Sequence, residues 1–225
     1  MNNGKITIAI DGPSGAGKST VSKRLAQDLG LIHIDTGAMY RALTYKALAK
    51  RLDLTDEKAL TEMALDTDIV LTPSQDDQPQ IILVDGENIT QAIRTEEVSR
   101  YVSQVAQTPG VRAYLLHLQR TLAAENSVVM DGRDIGTVVL PAADYKFYLS
   151  ADLETRAHRR YNEIYGSCQD EKGLQKVREN LEYRDTIDST REFAPLRPAE
   201  DAIIIDTTNL TIEQVVARLR DCIRR

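Results

Sequence analysis

Residues 12–19 read Gly-Pro-Ser-Gly-Ala-Gly-Lys-Ser and dictate one local geometry to any fold that contains them. The octet fits the pattern of a glycine, four residues, then Gly-Lys-Ser/Thr. A β-rich run, Ile6–Ile10, stops at Asp11 immediately before it. After Lys18, Val21, Leu25 and Leu29 recur at spacing four and Gly30 supplies a stop, which predicts a helix. Strand, glycine loop and helix are what a phosphate cradle needs. Gly12, Gly15 and Gly17 permit backbone conformations and close approaches that a Cβ would block. The inward N–H groups then hold phosphate oxygens, and the helix N-terminus adds its positive dipole end. The expected triphosphate-binding residues are Gly12, Pro13, Ser14, Gly15, Ala16, Gly17, Lys18, Ser19 and Thr20. Lys18 reaches the β- and γ-phosphates, and the Ser19 hydroxyl is the candidate Mg²⁺ ligand. This stretch predicts a nucleoside triphosphate site and leaves open what becomes of the phosphate.

Composition narrows the classes around that loop. A chain of 225 residues, 42% hydrophobic and 28% charged, suits one α/β domain with a small insertion. No apolar run is long enough to span a membrane, and a strand beginning by residue 5 leaves no room for a signal peptide. Two cysteines, Cys168 and Cys222, make no disulfide framework, so a cytoplasmic protein is expected. A net charge of −6 argues against a nucleic acid polymer as partner.

Further along, Leu31–Ile34 reads as a second strand, followed by a helix that Thr36 is expected to cap and that carries Arg41. In an open α/β sheet, ligands bind beyond the carboxyl ends of the strands, which puts Thr36 and Arg41 on the functional edge. A polar helix is expected over 53–65, with a capping signal at Thr55. The character then changes: Asp68–Leu71 and Gln80–Val84 are β-like, separated by a polar turn from Pro73 to Pro79. Asp85-Gly86 is a hairpin signal. Residues of about 64–106 are therefore expected to form an inserted, β-rich subdomain. Thr95 should cap its helix, and Pro109-Gly110 should break it. The next helix is expected to present Val111, Leu115, Leu118 and Leu122 on one side, with Arg112 near its start.

Ser127–Met130 returns to the main sheet and runs into Asp131-Gly132-Arg133-Asp134-Ile135-Gly136-Thr137. An acidic residue at a strand end beside a phosphate loop suits a Mg²⁺- or water-holding position. Tyr145–Leu149 and Ala202–Ile205 are the last two strands. Between them lies an arginine-rich segment. Arg156, Arg159 and Arg160 stand on one helix, and Tyr165-Gly166-Ser167-Cys168 interrupts it. A second helix leads to Arg184, Asp188 and Arg191 at i, i+4 and i+7, one polar stripe. Such arginines either pair with carboxylates on a solvated face or clamp an anion under a closing lid of about residues 156–185.

Four motifs together resemble the bacterial cytidylate kinase family. They are the loop at 12–19, Asp35-Thr-Gly-Ala-Met-Tyr-Arg41, Asp131-Gly-Arg-Asp-Ile-Gly-Thr137, and Arg184-Asp-x-x-Asp-x-x-Arg191 with Ala194-Pro195. The resemblance covers essentially the whole chain. It implies the P-loop NTPase fold, a parallel sheet flanked by helices, and phosphoryl transfer from ATP to CMP or dCMP with Mg²⁺. It also assigns the monophosphate to Thr36, Arg41, Ser103, Arg112, Arg133, Asp134, Arg184, Asp188 and Arg191. Within that set, Asp188 takes the pentose hydroxyls, and Asp134 with Arg191 takes cytosine. Arg41, Arg133 and Arg184 suit the α-phosphate. Lys18, Arg133, Arg156 and Arg160 are the expected catalytic cations, and a monomer is expected. A UMP/CMP, adenylate or shikimate kinase shares the loop and the lid. A nucleotide-timed switch is the alternative of another class, and it would need no acceptor pocket.

Overall fold

A computed structural model describes residues 4–72, 80–166 and 170–223. In chain order the elements are β1 (Thr7–Asp11), α1 (Lys18–Leu29), β2 (Ile32–Asp35), α2 (Thr36–Ala49), α3 (Glu57–Leu65), β3 (Ile69–Thr72), β4 (Ile81–Val84) and β5 (Glu87–Asn88). Then come α4 (Glu96–Val105), α5 (Pro109–Glu125), β6 (Val128–Gly132), β7 (Tyr145–Ser150), α6 (Leu153–Tyr165), α7 (Glu171–Thr190), β8 (Ile203–Asp206) and α8 (Ile212–Ile223). The predicted turn at 73–79 and the residues Ser167 and Cys168 of the predicted break lie outside the described residues. No helix among the described residues is long and apolar enough to cross a membrane.

The chain divides into two compact units, one of residues 1–31 and 129–225, the other of residues 32–128. In the first, the strands run in the order β6-β1-β7-β8, with β1 parallel to β7 and β7 parallel to β8. Ile8, Ala9 and Ile10 are fully buried, as a strand covered on both faces requires. Val21, Leu25 and Ala26 of α1 and Val215, Val216 and Leu219 of α8 close over this sheet in one core with Ile10, Phe147 and Leu149. Gly30 ends α1 where a stop is predicted, in a left-handed cap at φ 66°. Thr211 and Gln214 exchange capping-box hydrogen bonds at the start of α8, at 2.9 and 3.3 Å. Helices α6 and α7 bury a smaller core of their own, Ala157, Tyr161, Val177 and Leu181.

In the second unit, β3, β4 and β5 form a separate antiparallel sheet, with Ile69 opposite Val84 and Leu83 opposite Asn88. Asp85 and Gly86 turn between β4 and β5 with φ of 51° and 81°, as a two-residue hairpin demands. Lys46 of α2 holds this turn, 2.6 Å from the Asp85 carboxylate and donating to the Asp66 carbonyl at 3.1 Å. Thr95 caps α4 as expected, its Oγ1 accepting from Val98 N–H at 3.3 Å.

Four local expectations are corrected. Asp35 caps α2, accepting from Ala38 N–H at 3.0 Å, and Thr36 is already in the helix and buried. Likewise Asp56 caps α3, while Thr55 folds back onto Asp53. In both places a carboxylate next to the threonine takes the helix N–H, and carboxylates also suit the positive end of the helix dipole. Pro109-Gly110 does not end α4, which stops at Val105; it opens α5, where a first-turn proline gives up no helical hydrogen bond. Gly110 has a second reason to be there, because a Cβ would lie 2.2 Å from the Thr61 side chain. The buried stripe of α5 is Val111, Leu115, Gln119 and Ala123, one residue round from the predicted Leu118 and Leu122.

Candidate active site

The phosphate loop lies between β1 and α1. Gly12 has φ 147°, and a Cβ there would stand 2.0 Å from the Leu149 carbonyl oxygen, so only glycine lets the loop leave the sheet at this point. Gly17 turns into α1 at φ 86°. Lys18 curls back over the loop and donates to the Pro13 carbonyl at 2.8 Å. Ser19 Oγ donates to Asp131 Oδ2 at 2.8 Å, which ties the first turn of α1 to the end of β6.

Asp11 and Lys18 are both buried, and burial moves their pKa values in opposite directions. The Asp11 carboxyl is raised to about 6 by desolvation, although backbone N–H groups of Gly136 and Ile135 favour its charged form. Lys18 is lowered to about 7 by desolvation and by the neighbouring Arg133, against the pull of Asp131, Asp11 and Asp188. A triphosphate beside Lys18 adds the negative charge that favours the ammonium. At pH 8, above the lowered value, ATP binding should therefore take up about one proton. Isothermal titration in two buffers of different ionisation enthalpy reads this directly. A heat independent of buffer would show that Lys18 is charged beforehand.

Beyond the loop, the stripe on α7 meets the turn after β6. Arg133 Nε donates to Asp188 Oδ2 at 2.8 Å, and Arg191 approaches Asp134 at 3.4 Å. Asp188 and Arg191 are 4% and 8% exposed. Burial alone would raise the Asp188 carboxyl; Arg133, Arg184 and Arg191 more than offset it and hold it below the usual range. The chain past α7 folds back on this pair, with Leu196 N–H donating to the Asp188 carbonyl at 2.7 Å and Arg191 Nε to the Ala194 carbonyl at 2.6 Å. Arg133, Asp134, Arg184, Asp188 and Arg191 are thus gathered in one unit with Lys18 and Ser19.

The three arginines of α6 have different settings. Arg156 is buried and donates to the Ala151 carbonyl at 3.0 Å, to the Ser14 carbonyl of the loop at 3.1 Å, and to the Asp185 carboxylate. Arg159 donates to Thr207 Oγ1 at 3.0 Å and to the Thr207 carbonyl at 2.6 Å, bracing the turn after β8. Arg160 pairs with Glu163 on its own helix at 2.8 Å.

Within the second unit, Arg41 pairs with Asp35 at 2.8 Å. Burial pushes the Asp35 carboxyl up, and Arg41 with His33 pulls it down further than that. Thr36 and Ser103 are buried, at 3% and 4% exposure. Arg112 lies over the Tyr40 ring, 5.7 Å from its centroid, and donates to the Ala106 carbonyl at 3.3 Å. Sequence reasoning passed over Asp11, Asp35 and Asp185, the carboxylates that hold the loop after β6, Arg41 and Arg156. Each stands next to a motif residue, and adjacency to a strand end or an arginine was the available signal.

Among the described residues, no group of three His, Cys, Asp or Glu side chains is placed to hold a metal ion. The Ser19 hydroxyl and the Asp131 carboxylate are hard oxygen donors 2.8 Å apart, and Mg²⁺ bound with a nucleotide needs only one or two protein ligands.

Residues 8–225 match the family model described as cytidylate kinase. A cytidylate kinase of Geobacillus kaustophilus is 52% identical over 221 residues, covering 97% of this chain and 96% of the relative. One from Caldanaerobacter subterraneus is 48% identical over 225 residues, covering 100% and 97%. Among solved structures, an uncharacterized protein of Eubacterium ventriosum superposes with a TM-score of 0.51 at 14% identity, covering 98% of each chain, a likeness of fold alone.

Proposed function

The chain belongs to the cytidylate kinase family, and we infer that it moves the γ-phosphoryl of ATP onto CMP and dCMP, releasing ADP with CDP or dCDP. The observation that carries this reading is the pair that Arg133 makes with the buried Asp188, set beside Lys18. A switch that only hydrolyses its nucleotide has no use for a polar acceptor cluster at the phosphate loop.

The chemistry asks the chain for position and charge rather than for a covalent intermediate. The acceptor is a phosphate oxygen, already anionic near neutral pH, so no strong base is required. We assign the triphosphate to residues 12–20. Lys18 and Arg133, with Arg156 and Arg160 from α6, stabilise the charge that spreads over the equatorial oxygens. Arg156 is already fixed to the loop through the Ser14 carbonyl, which supports its part in this. Thr36, Arg41, Ser103, Arg112, Arg133, Asp134, Arg184, Asp188 and Arg191 hold the monophosphate. Asp188 takes its sugar hydroxyls, and Asp134 with Arg191 takes its base. Ser19 and Asp131 would hold Mg²⁺, which when bound neutralises charge on the β- and γ-phosphates.

The whole chain acts as one kinase domain in this reading. Residues of about 64–106 are its monophosphate-binding insertion, and about 156–185 form its lid. We place it in the cytoplasm, a reading supported by its two cysteines, and take it to act as a monomer. A coupled ADP-release assay over CMP, dCMP, UMP, AMP and shikimate tests the acceptor. CMP and dCMP should be preferred; AMP or shikimate as best acceptor would overturn the reading.

A further inference from the structure

Asp11 is the last residue of β1 and is 3% exposed. Its position, next to Gly12, invites a role at the triphosphate, but its hydrogen bonds point elsewhere. One carboxylate oxygen accepts from Ile135 N–H at 2.8 Å, and the other accepts from Gly136 N–H at 2.7 Å. Those two residues directly follow Arg133-Asp134. Behind them the chain closes a single wide turn over 135–139, in which Val138 and Val139 N–H both donate to the Asp134 carbonyl, at 2.9 and 3.1 Å. The turn fixes its own rear, and Asp11 fixes its front across 124 and 125 residues of sequence.

The fit is tight. A Cβ at residue 136 would stand 3.4 Å from Asp11 Oδ2 and 3.2 Å from Lys146 Cδ. Lys146 has little freedom to give way, because its ammonium is held by both Asp201 oxygens, at 2.8 and 2.9 Å, and by the Pro141 carbonyl at 2.6 Å. A buried carboxylate that accepts two N–H bonds does what no apolar residue and no amide can do at this position. An asparagine would offer one oxygen to one N–H and turn its own NH₂ group against the other.

We propose that Asp11 is a positioning residue for the acceptor nucleotide: by holding Ile135 and Gly136 it fixes the aim of Arg133 and Asp134, and it governs use of the monophosphate more than binding of ATP. This rests on the assignment of Arg133 and Asp134 to the acceptor. The test compares the KM values for CMP and ATP in the wild type, D11N and G136A. The second variant crowds the same turn from its other side, against Lys146 Cδ at 3.2 Å, and it decides the matter if D11N does not fold. Each variant should raise the CMP KM about tenfold or more, the scale of a lost hydrogen bond to a buried charge, with the ATP KM changed less than about threefold. Equal rises in both constants, or a rise for ATP alone, would overturn the role of Asp11. A wild type that turns over no CMP would instead defeat the assignment of function, so the two failures are told apart by the control.

Discussion

Lys18→Met should lower turnover by about two to three orders of magnitude while leaving the fold at least as stable at pH 7. The loss follows from removing the ammonium that curls over the phosphate loop, where it donates to the Pro13 carbonyl. A charge-stabilising donor of this kind is worth about 3–4 kcal/mol at a transition state. The stability half follows from linkage. Burial lowers Lys18 from 10.5 to about 7, so between those values the folded chain binds fewer protons than the unfolded chain. Stability therefore rises with pH through that window, and below it the cost of the buried ammonium is present in full. At about 1.4 kcal/mol per unit, that cost is several kcal/mol near pH 7. Methionine fills a similar volume and carries no charge. Thermal melts should show its Tm advantage at pH 7 shrinking towards about pH 9.5 as the wild type loses its penalty. A variant that melts lower than the wild type at pH 7, or keeps near-normal turnover, would contradict this account of Lys18.

Asp188→Ala should act on the other nucleotide. It removes the carboxylate at which Arg133 Nε ends, 2.8 Å away, and with it the negative charge that Arg133, Arg184 and Arg191 share. Breaking a buried pair from one side costs about 3–5 kcal/mol of stability, so the variant should melt well below the wild type. Asp188→Asn keeps the shape and one acceptor oxygen and should lose less. In both, the KM for CMP should rise by about a factor of ten to a hundred, while ATP binding measured by titration stays within a few-fold. The opposite order, with ATP weakened more than CMP, would remove Asp188 from the acceptor.

Why some of this was legible in the sequence is a matter of range. The phosphate loop is a local device: glycines, a lysine and a hydroxyl within eight consecutive residues act through backbone geometry that their own spacing specifies. The hairpin at Asp85-Gly86 and the capping box at Thr211 are local too, and both form as their letters predict. The α7 stripe was legible as a stripe, because 3.6-residue periodicity puts Arg184, Asp188 and Arg191 on one face. What that face meets was not. Arg133 lies 55 residues from Asp188, and Arg156 lies 142 from Ser14. Contacts at such separations are set by which strands neighbour each other, not by anything in either segment. The same limit hid Asp11, whose partners are backbone N–H groups, and a backbone group leaves no trace in the letters. Capping errors had a different source. Where Asp and Thr stand side by side, at Asp35-Thr36 and Thr55-Asp56, propensity alone does not choose between them; the phase of the helix does.

The central claim is that the loop at 12–19 and the cluster around Asp188 serve one transfer between two nucleotides. Phosphorus NMR of the full chain with ATP, Mg²⁺ and CMP measures it most directly, because donor and acceptor products are counted in the same spectrum. The expected result is CDP and ADP appearing together in equal amounts. ADP and free phosphate accumulating with no CDP would show a hydrolase and contradict the claim.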